Sequence, residues 1–141
     1  MIKKILILED QTGTNEMYKN FLERAGYEVV LFAEPLFSDE SVEDLSGFDL
    51  IVSDFDAGSG NNFGETAVRI YERCKELGKT PKVIGNSTGY LPQLKKMFTD
   101  RFGADFDFSD VCGSTKYRPN ELVSRVNSCL GVDSEISKVL A

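Results

Sequence analysis

The sequence predicts an α/β domain in which a parallel sheet carries helices on both faces. Three observations predict it. Short apolar runs recur along the chain, stretches of helical period separate them, and Gly or Pro marks several of the joins. Strand then helix, repeated about five times, is the order a parallel sheet needs, because each crossover must return the chain to the same edge.

Taken in order, the first run is residues 5–8, apolar throughout and ending in Glu9 and Asp10. An unbroken apolar run suits a strand buried on both faces. A polar start at 12–15 leads to Met17, Phe21, Leu22 and Ala25 at helical spacing, with Gly26 as the stop. Residues 27–32 read as a second strand and 50–53 as a third. Residues 63–77 read as a helix with Ala67, Ile70, Tyr71 and Cys74 on one face, closed by Gly78. A fourth strand is expected at 82–86 and a helix at 91–102. Pro119 opens a last helix with Leu122, Val123, Val126 and Leu130 inward, since Pro suits the first helical turn. Residues 34–48 carry only a weak helical pattern.

The chain has 141 residues, enough for one domain, read as residues 1–131 with a short tail at 132–141. The formal net charge of −7 argues against direct nucleic-acid binding. With no histidine in the chain, Ser-His-Asp and Cys-His catalysis and histidine-ligated metals are excluded. Cys74, Cys112 and Cys129 are too few and too scattered for a disulfide framework or a four-ligand zinc site, and they read as core or near-core residues. Lys3 and Lys4 precede an apolar run that stops at Glu9, far short of a leader or membrane span. The expectation is a reduced, cytoplasmic protein that does not engage a membrane.

In an open parallel sheet, function gathers where the strands end. Glu9 and Asp10 follow the first strand, Asp54 the third, and Ser87 and Thr88 the fourth, while Lys116 comes shortly before the last helix. Crowded acids favour a bound cation, and an oxygen-only ligand set favours magnesium over zinc. A carboxylate beside such a metal can attack phosphorus and form an aspartyl phosphate, with the hydroxyl and ammonium on the phosphoryl oxygens.

These residues stand in stretches that resemble the receiver domain of two-component response regulators. ILILEDQ at 5–11 is similar to the family's acid-pair opening, and GYEV at 26–29 follows at the family's usual distance. FDLIVSDFD at 48–56 resembles the phosphoacceptor strand, KVIGNSTG at 82–89 the fourth strand, and GAD at 103–105 with KYRPNEL at 116–122 the segments around the family's lysine. The resemblance implies a flavodoxin-like receiver fold with five strands in the order 2-1-3-4-5. It implies that Asp54 takes a phosphoryl group from a histidine kinase or histidine phosphotransfer protein. Glu9 and Asp10, with Asp54 and the backbone carbonyl of Asp56, would hold Mg2+. Ser87 would bond the phosphoryl oxygen and Lys116 would pair with it. A surface formed by the fourth and fifth strands and their helices would then engage a downstream output protein.

Three stretches depart from the family pattern. The loop at 57–62 is longer than usual and Pro-free, so the Asp56 carbonyl is less preorganised. Thr88 is bulkier than the usual neighbour of the switch hydroxyl. Gly103 lies far from Lys116, which leaves the fifth strand at 105–108 or at 111–115; the first choice makes Phe106 or Phe108 the aromatic switch candidate. Arg118 rivals Lys116, and Lys116 is preferred because the residues from Arg118 onward read as the start of the last helix.

Each residue also has a plainer reading. Isolated strand-end acids usually solvate turns, a strand-end Ser often bonds local backbone, and a lone Lys is most often on the surface. Residues 54–65 superficially suggest a calcium loop, but Ser59 stands where Gly is needed and a strand precedes the segment. The competing functions are a non-phosphorylated pseudo-receiver acting as a binding module and a haloacid-dehalogenase-like phosphatase. The phosphatase pattern carries its acids in a different order along the chain.

Overall fold

The computed structural model describes residues 2–9, 12–32, 47–54, 63–86, 96, 99–103, 106–108 and 117–132. Five strands, β1 (Lys4–Leu8), β2 (Glu28–Phe32), β3 (Leu50–Ser53), β4 (Lys82–Gly85) and β5 (Phe106–Phe108), pair in parallel in the order β2-β1-β3-β4-β5. This is the expected order. The fifth strand is thereby the 106–108 alternative, pairing Val83 with Phe106 and Gly85 with Phe108.

Residue alternation along the strands divides the core in two. Leu6, Leu8, Ile51 and Val83 point to one face, where helix α2 (Phe63–Glu76) lays Ala67, Ile70, Tyr71 and Cys74 against them, as its spacing predicts. Ile5, Ile7, Leu50, Val52 and Ile84 point to the other face, covered by helices α1 (Thr12–Arg24) and α3 (Pro119–Leu130). Leu122 and Val126 of α3 are buried there, and Val123 and Leu130 pack beside them. Each such Leu or Ile, fully buried, contributes about 1.5–3 kcal/mol. Residues 99–102 are helical as expected, and Phe102 sets its ring edge-on to Tyr71 at 4.9 Å.

Helix α1 keeps Leu22 and Ala25 on the core side as expected but departs from its expected face at Met17 and Phe21. Met17 and Phe21 are 50% and 36% exposed, whereas Asn15, Tyr18 and Leu22 are buried. Apolar spacing favoured Met17 and Phe21, but Asn15 and Tyr18 find hydrogen-bond partners inside, and that rotates the helix. The Arg24 guanidinium lies over the outward Phe21 ring, 5.9 Å from its centre. Gly26, at φ 99, turns the chain out of α1 in a conformation that a side chain would strain.

Pro119 occupies the first turn of α3, and Gly131, at φ 70, closes it while the Val132 N–H donates to the Asn127 carbonyl at 2.8 Å. Tyr27 ties this end of α3 to the start of β2 by donating its hydroxyl to Asn127 Oδ1, and burial pushes the Tyr27 phenol above its ordinary value. At the same edge of the sheet, Asp49 accepts the Lys4 N–H at 2.8 Å and pairs with the Lys79 ammonium at 3.1 Å. Cys74 is buried, which pushes its thiol up and keeps it protonated. Among the described residues, no helix is long and apolar enough to cross a membrane.

Candidate functional site

The order β2-β1-β3 means the chain steps from one side of β1 to the other, so the carboxyl ends of β1 and β3 flank the reversal of strand order. That is where open α/β sheets bind ligands. Leu8 pairs with Ser53 and Ser53 with Gly85, and the ladder runs one residue further. The Glu9 N–H donates to the Phe32 carbonyl at 3.3 Å, the Asp54 N–H to Leu8 at 3.0 Å, and the Asn86 N–H to Ser53 at 2.8 Å. Neighbouring strands lie about 4.8 Å apart, so these bonds set Glu9, Asp54 and Asn86 in a row along the edge.

The row is buried: Glu9 is 2% exposed, Asp54 6% and Asn86 3%. Burying two carboxylates on adjacent strands is costly without compensating charge. Carboxylate oxygens suit a hard cation such as magnesium, which keeps waters among its ligands. The Asn15 carboxamide fits the same requirement. Its Nδ2 donates to the Glu9 carbonyl at 3.2 Å, while its buried Oδ1 has no hydrogen-bond partner, leaving an acceptor that a metal-bound water could fill. Among the described residues, no group of three or more acids, cysteines or histidines could hold a metal. Of the oxygen donors expected from sequence, Glu9 and Asp54 are the two among the described residues.

Of the six site residues expected from sequence, Glu9 and Asp54 stand together at this edge. Asp10, Asp56, Ser87 and Lys116 lie outside the described residues, as do Thr88 and the 57–62 loop. The rival for the lysine role, Arg118, has a side chain 84% exposed, and it faces Glu121 across 3.7 Å. Phe106 and Phe108 lie on β5, next to β4.

A further polar cluster braces this edge, and hydrophobic periodicity gives no sign of it. Asn86 Oδ1 accepts the Tyr117 N–H at 2.9 Å, and Asn86 Nδ2 donates to the Tyr18 hydroxyl at 3.0 Å. Tyr18 in turn donates to the Tyr117 carbonyl at 2.6 Å. The ring of three bonds joins α1, the end of β4 and the entry to α3. Each buried bond of this kind contributes about 0.5–1.5 kcal/mol net, and leaving a member unpaired costs about 1–3 kcal/mol. The sequence signal available was a polar residue, Asn86, straight after the apolar strand, and Tyr18 one turn beyond Asn15.

No protein-family model matches the chain, and no curated protein matches it. Solved structures do. Vibrio cholerae chemotaxis protein CheY4 superposes with a TM-score of 0.67 at 21% identity, over 92% of this chain and 100% of that one. A CheY-like response regulator receiver domain protein from Methanospirillum hungatei gives 0.65 at 22% identity, over 96% and 99%. A response regulator from Burkholderia pseudomallei, solved with a phosphorylated aspartic acid, a calcium ion and citrate, gives 0.64 at 16% identity, over 97% and 70%. What these chains have in common with the present one is the fold.

Proposed function

We propose that this chain, which has the fold of a response-regulator receiver domain, is the phosphoacceptor of a two-component phosphorelay, modified on Asp54. The observation that carries the reading is the buried Asp54 carboxylate, set beside buried Glu9 where the strand order reverses. The phosphorylated aspartic acid and the cation of the Burkholderia pseudomallei structure support it by likeness of fold.

An Asp54 carboxylate oxygen would attack the phosphorus of a phosphohistidine on a histidine kinase or histidine phosphotransfer protein. The O–P bond forms as the P–N bond breaks, and the imidazole leaves with the electron pair. Magnesium held by Glu9, Asp10, Asp54 and the carbonyl of Asp56 would offset charge on the phosphoryl oxygens. Ser87 would hydrogen-bond one of those oxygens and Lys116 would pair with another. Hydrolysis by water would return the carboxylate slowly, so the protein acts as a timed switch and turns over no metabolite. The phosphoryl group would shift the population of a surface around β4 and β5 toward the form that binds an output protein. Action in the cytoplasm, away from nucleic acid and membrane, belongs to the same proposal.

Intact mass after incubation with acetyl phosphate tests it. The expected result is a magnesium-dependent gain of one phosphoryl group, absent in Asp54→Asn. Label persisting in that variant would remove Asp54 from the role. No gain in the unaltered chain, with magnesium also failing to bind, would favour a pseudo-receiver that works by binding alone.

A further inference from the structure

We infer that Asn86 is a positioning residue for phosphoryl transfer, tying the end of β4, just before Ser87, to the entry of α3, just after Lys116. The inference rests on the reading of Asp54 as acceptor and deepens it. Its first support is the economy of the hydrogen bonds. Tyr117 has its N–H held by Asn86 directly and its C=O held by Tyr18, whose hydroxyl Asn86 engages in turn. One carboxamide thus governs both polar groups of a single backbone residue, and its two bonds fix its own orientation.

Position along the chain is the second support. Asn86 immediately precedes Ser87, and Tyr117 immediately follows Lys116. The Asn86 N–H is itself bonded to the carbonyl of Ser53, the residue before Asp54. Main-chain and side-chain bonds therefore run in one line from the acceptor strand, through the hydroxyl's neighbour, to the lysine's neighbour.

The third support is that packing does not call for an amide here. Asn86, Tyr18 and Tyr117 are 3%, 1% and 7% exposed, and the last two belong to the apolar cluster between the sheet and α1 and α3. An apolar residue of similar volume would fill the space but take from Tyr117 and Tyr18 the bonds that Asn86 makes to them. A buried, fully engaged polar network instead specifies one geometry, and misplacing a reacting group by about 1 Å can cost a hundredfold in rate.

The test compares wild-type protein with Asn86→Leu, Tyr18→Phe and the double variant. Labelling by acetyl phosphate is followed by intact mass, magnesium affinity by calorimetry, and folding by urea denaturation. Asn86→Leu is expected to label at least about tenfold more slowly. Tyr18→Phe should fall between it and wild type, and the double variant should be no slower than Asn86→Leu, because the ring is already open. Magnesium affinity should not move, since its proposed ligands follow β1 and β3. A folded Asn86→Leu that labels at the wild-type rate overturns the inference. So does a loss of magnesium affinity in step with the rate, which would mark Asn86 as general structural support. If Asn86→Leu does not fold, Tyr18→Phe decides by the same two readouts. Wild-type protein that takes no label strikes the acceptor reading itself, and this inference with it.

Discussion

The two edges of the sheet hold acidic residues in opposite ways. At the amino edge, Asp49 precedes β3, is partly exposed, and is matched by cations of its own chain. The Lys79 ammonium pairs with it and also donates to the Gly47 carbonyl at 2.9 Å, while the Lys4 ammonium sits over the Phe48 ring, 4.8 Å from its centre. At the carboxyl edge, Glu9 and Asp54 are buried, and their surroundings include the neutral side chains of Asn15, Asn86 and Tyr18. One strand, β3, thus separates a partly exposed aspartate paired with a lysine from a buried aspartate that stands beside a second acid.

Exchanging aspartate for asparagine at each end breaks the comparison most sharply. Asp54→Asn is expected to abolish labelling, while Asp49→Asn should label at the wild-type rate, both read by intact mass with acetyl phosphate and magnesium. Equal labelling of the two would erase the distinction between the edges. Next in size is the effect of the braces on stability. Tyr18→Phe removes the hydroxyl that both accepts from Asn86 and donates to Tyr117, at an expected cost of about 1–3 kcal/mol in urea unfolding. Lys79→Ala, which breaks a half-exposed ion pair, should cost no more than about 1 kcal/mol.

The smallest effect is in the pH dependence. Burial alone would raise the Asp49 carboxyl, but the Lys4 N–H and the Lys79 ammonium, with Lys3 further off, outweigh it and hold the group below its ordinary value of 3.8. A depressed carboxyl contributes stability that is complete above the unfolded-state value and is lost as pH falls through the folded one. Wild-type protein should therefore lose this contribution below about pH 4, and Asp49→Asn should flatten that limb of the curve. An unchanged acid limb in Asp49→Asn would show that other carboxylates set it.

The fold was legible because its strands bury both faces. The runs at 5–8, 50–52 and 83–84 are apolar without a break, and the stops at Gly26 and Gly78 bound the helices between them. The order along the sheet followed from resemblance, and the neighbours in space carry the same fold. Glu9 and Asp54 were legible as a pair because strand-end acids on adjacent parallel strands must meet. The inward face of α1 was not, because an apolar stripe of Met17 and Phe21 competes with a stripe whose inward members, Asn15 and Tyr18, are polar. The bonds of Asn86 were illegible for a related reason. They run to residues 68 and 31 positions away, a distance no local pattern encodes.

That distance bears on the order in which the molecule comes together. Tyr18 reaches its Tyr117 partner across 99 positions, and Tyr27 reaches Asn127 across 100. Closing loops of that length is entropically expensive and slow compared with forming a helix or pairing β1 with β2. The braces around Asn86 are therefore expected among the last contacts of folding, after the central strands have paired. On a ribosome, a chain with α1 and β1 to β4 exposed but α3 still in the tunnel would have Asp54 without the clasp beside it. If Asp54 is the acceptor, as proposed, a half-made copy would take a phosphoryl group more slowly than a finished one.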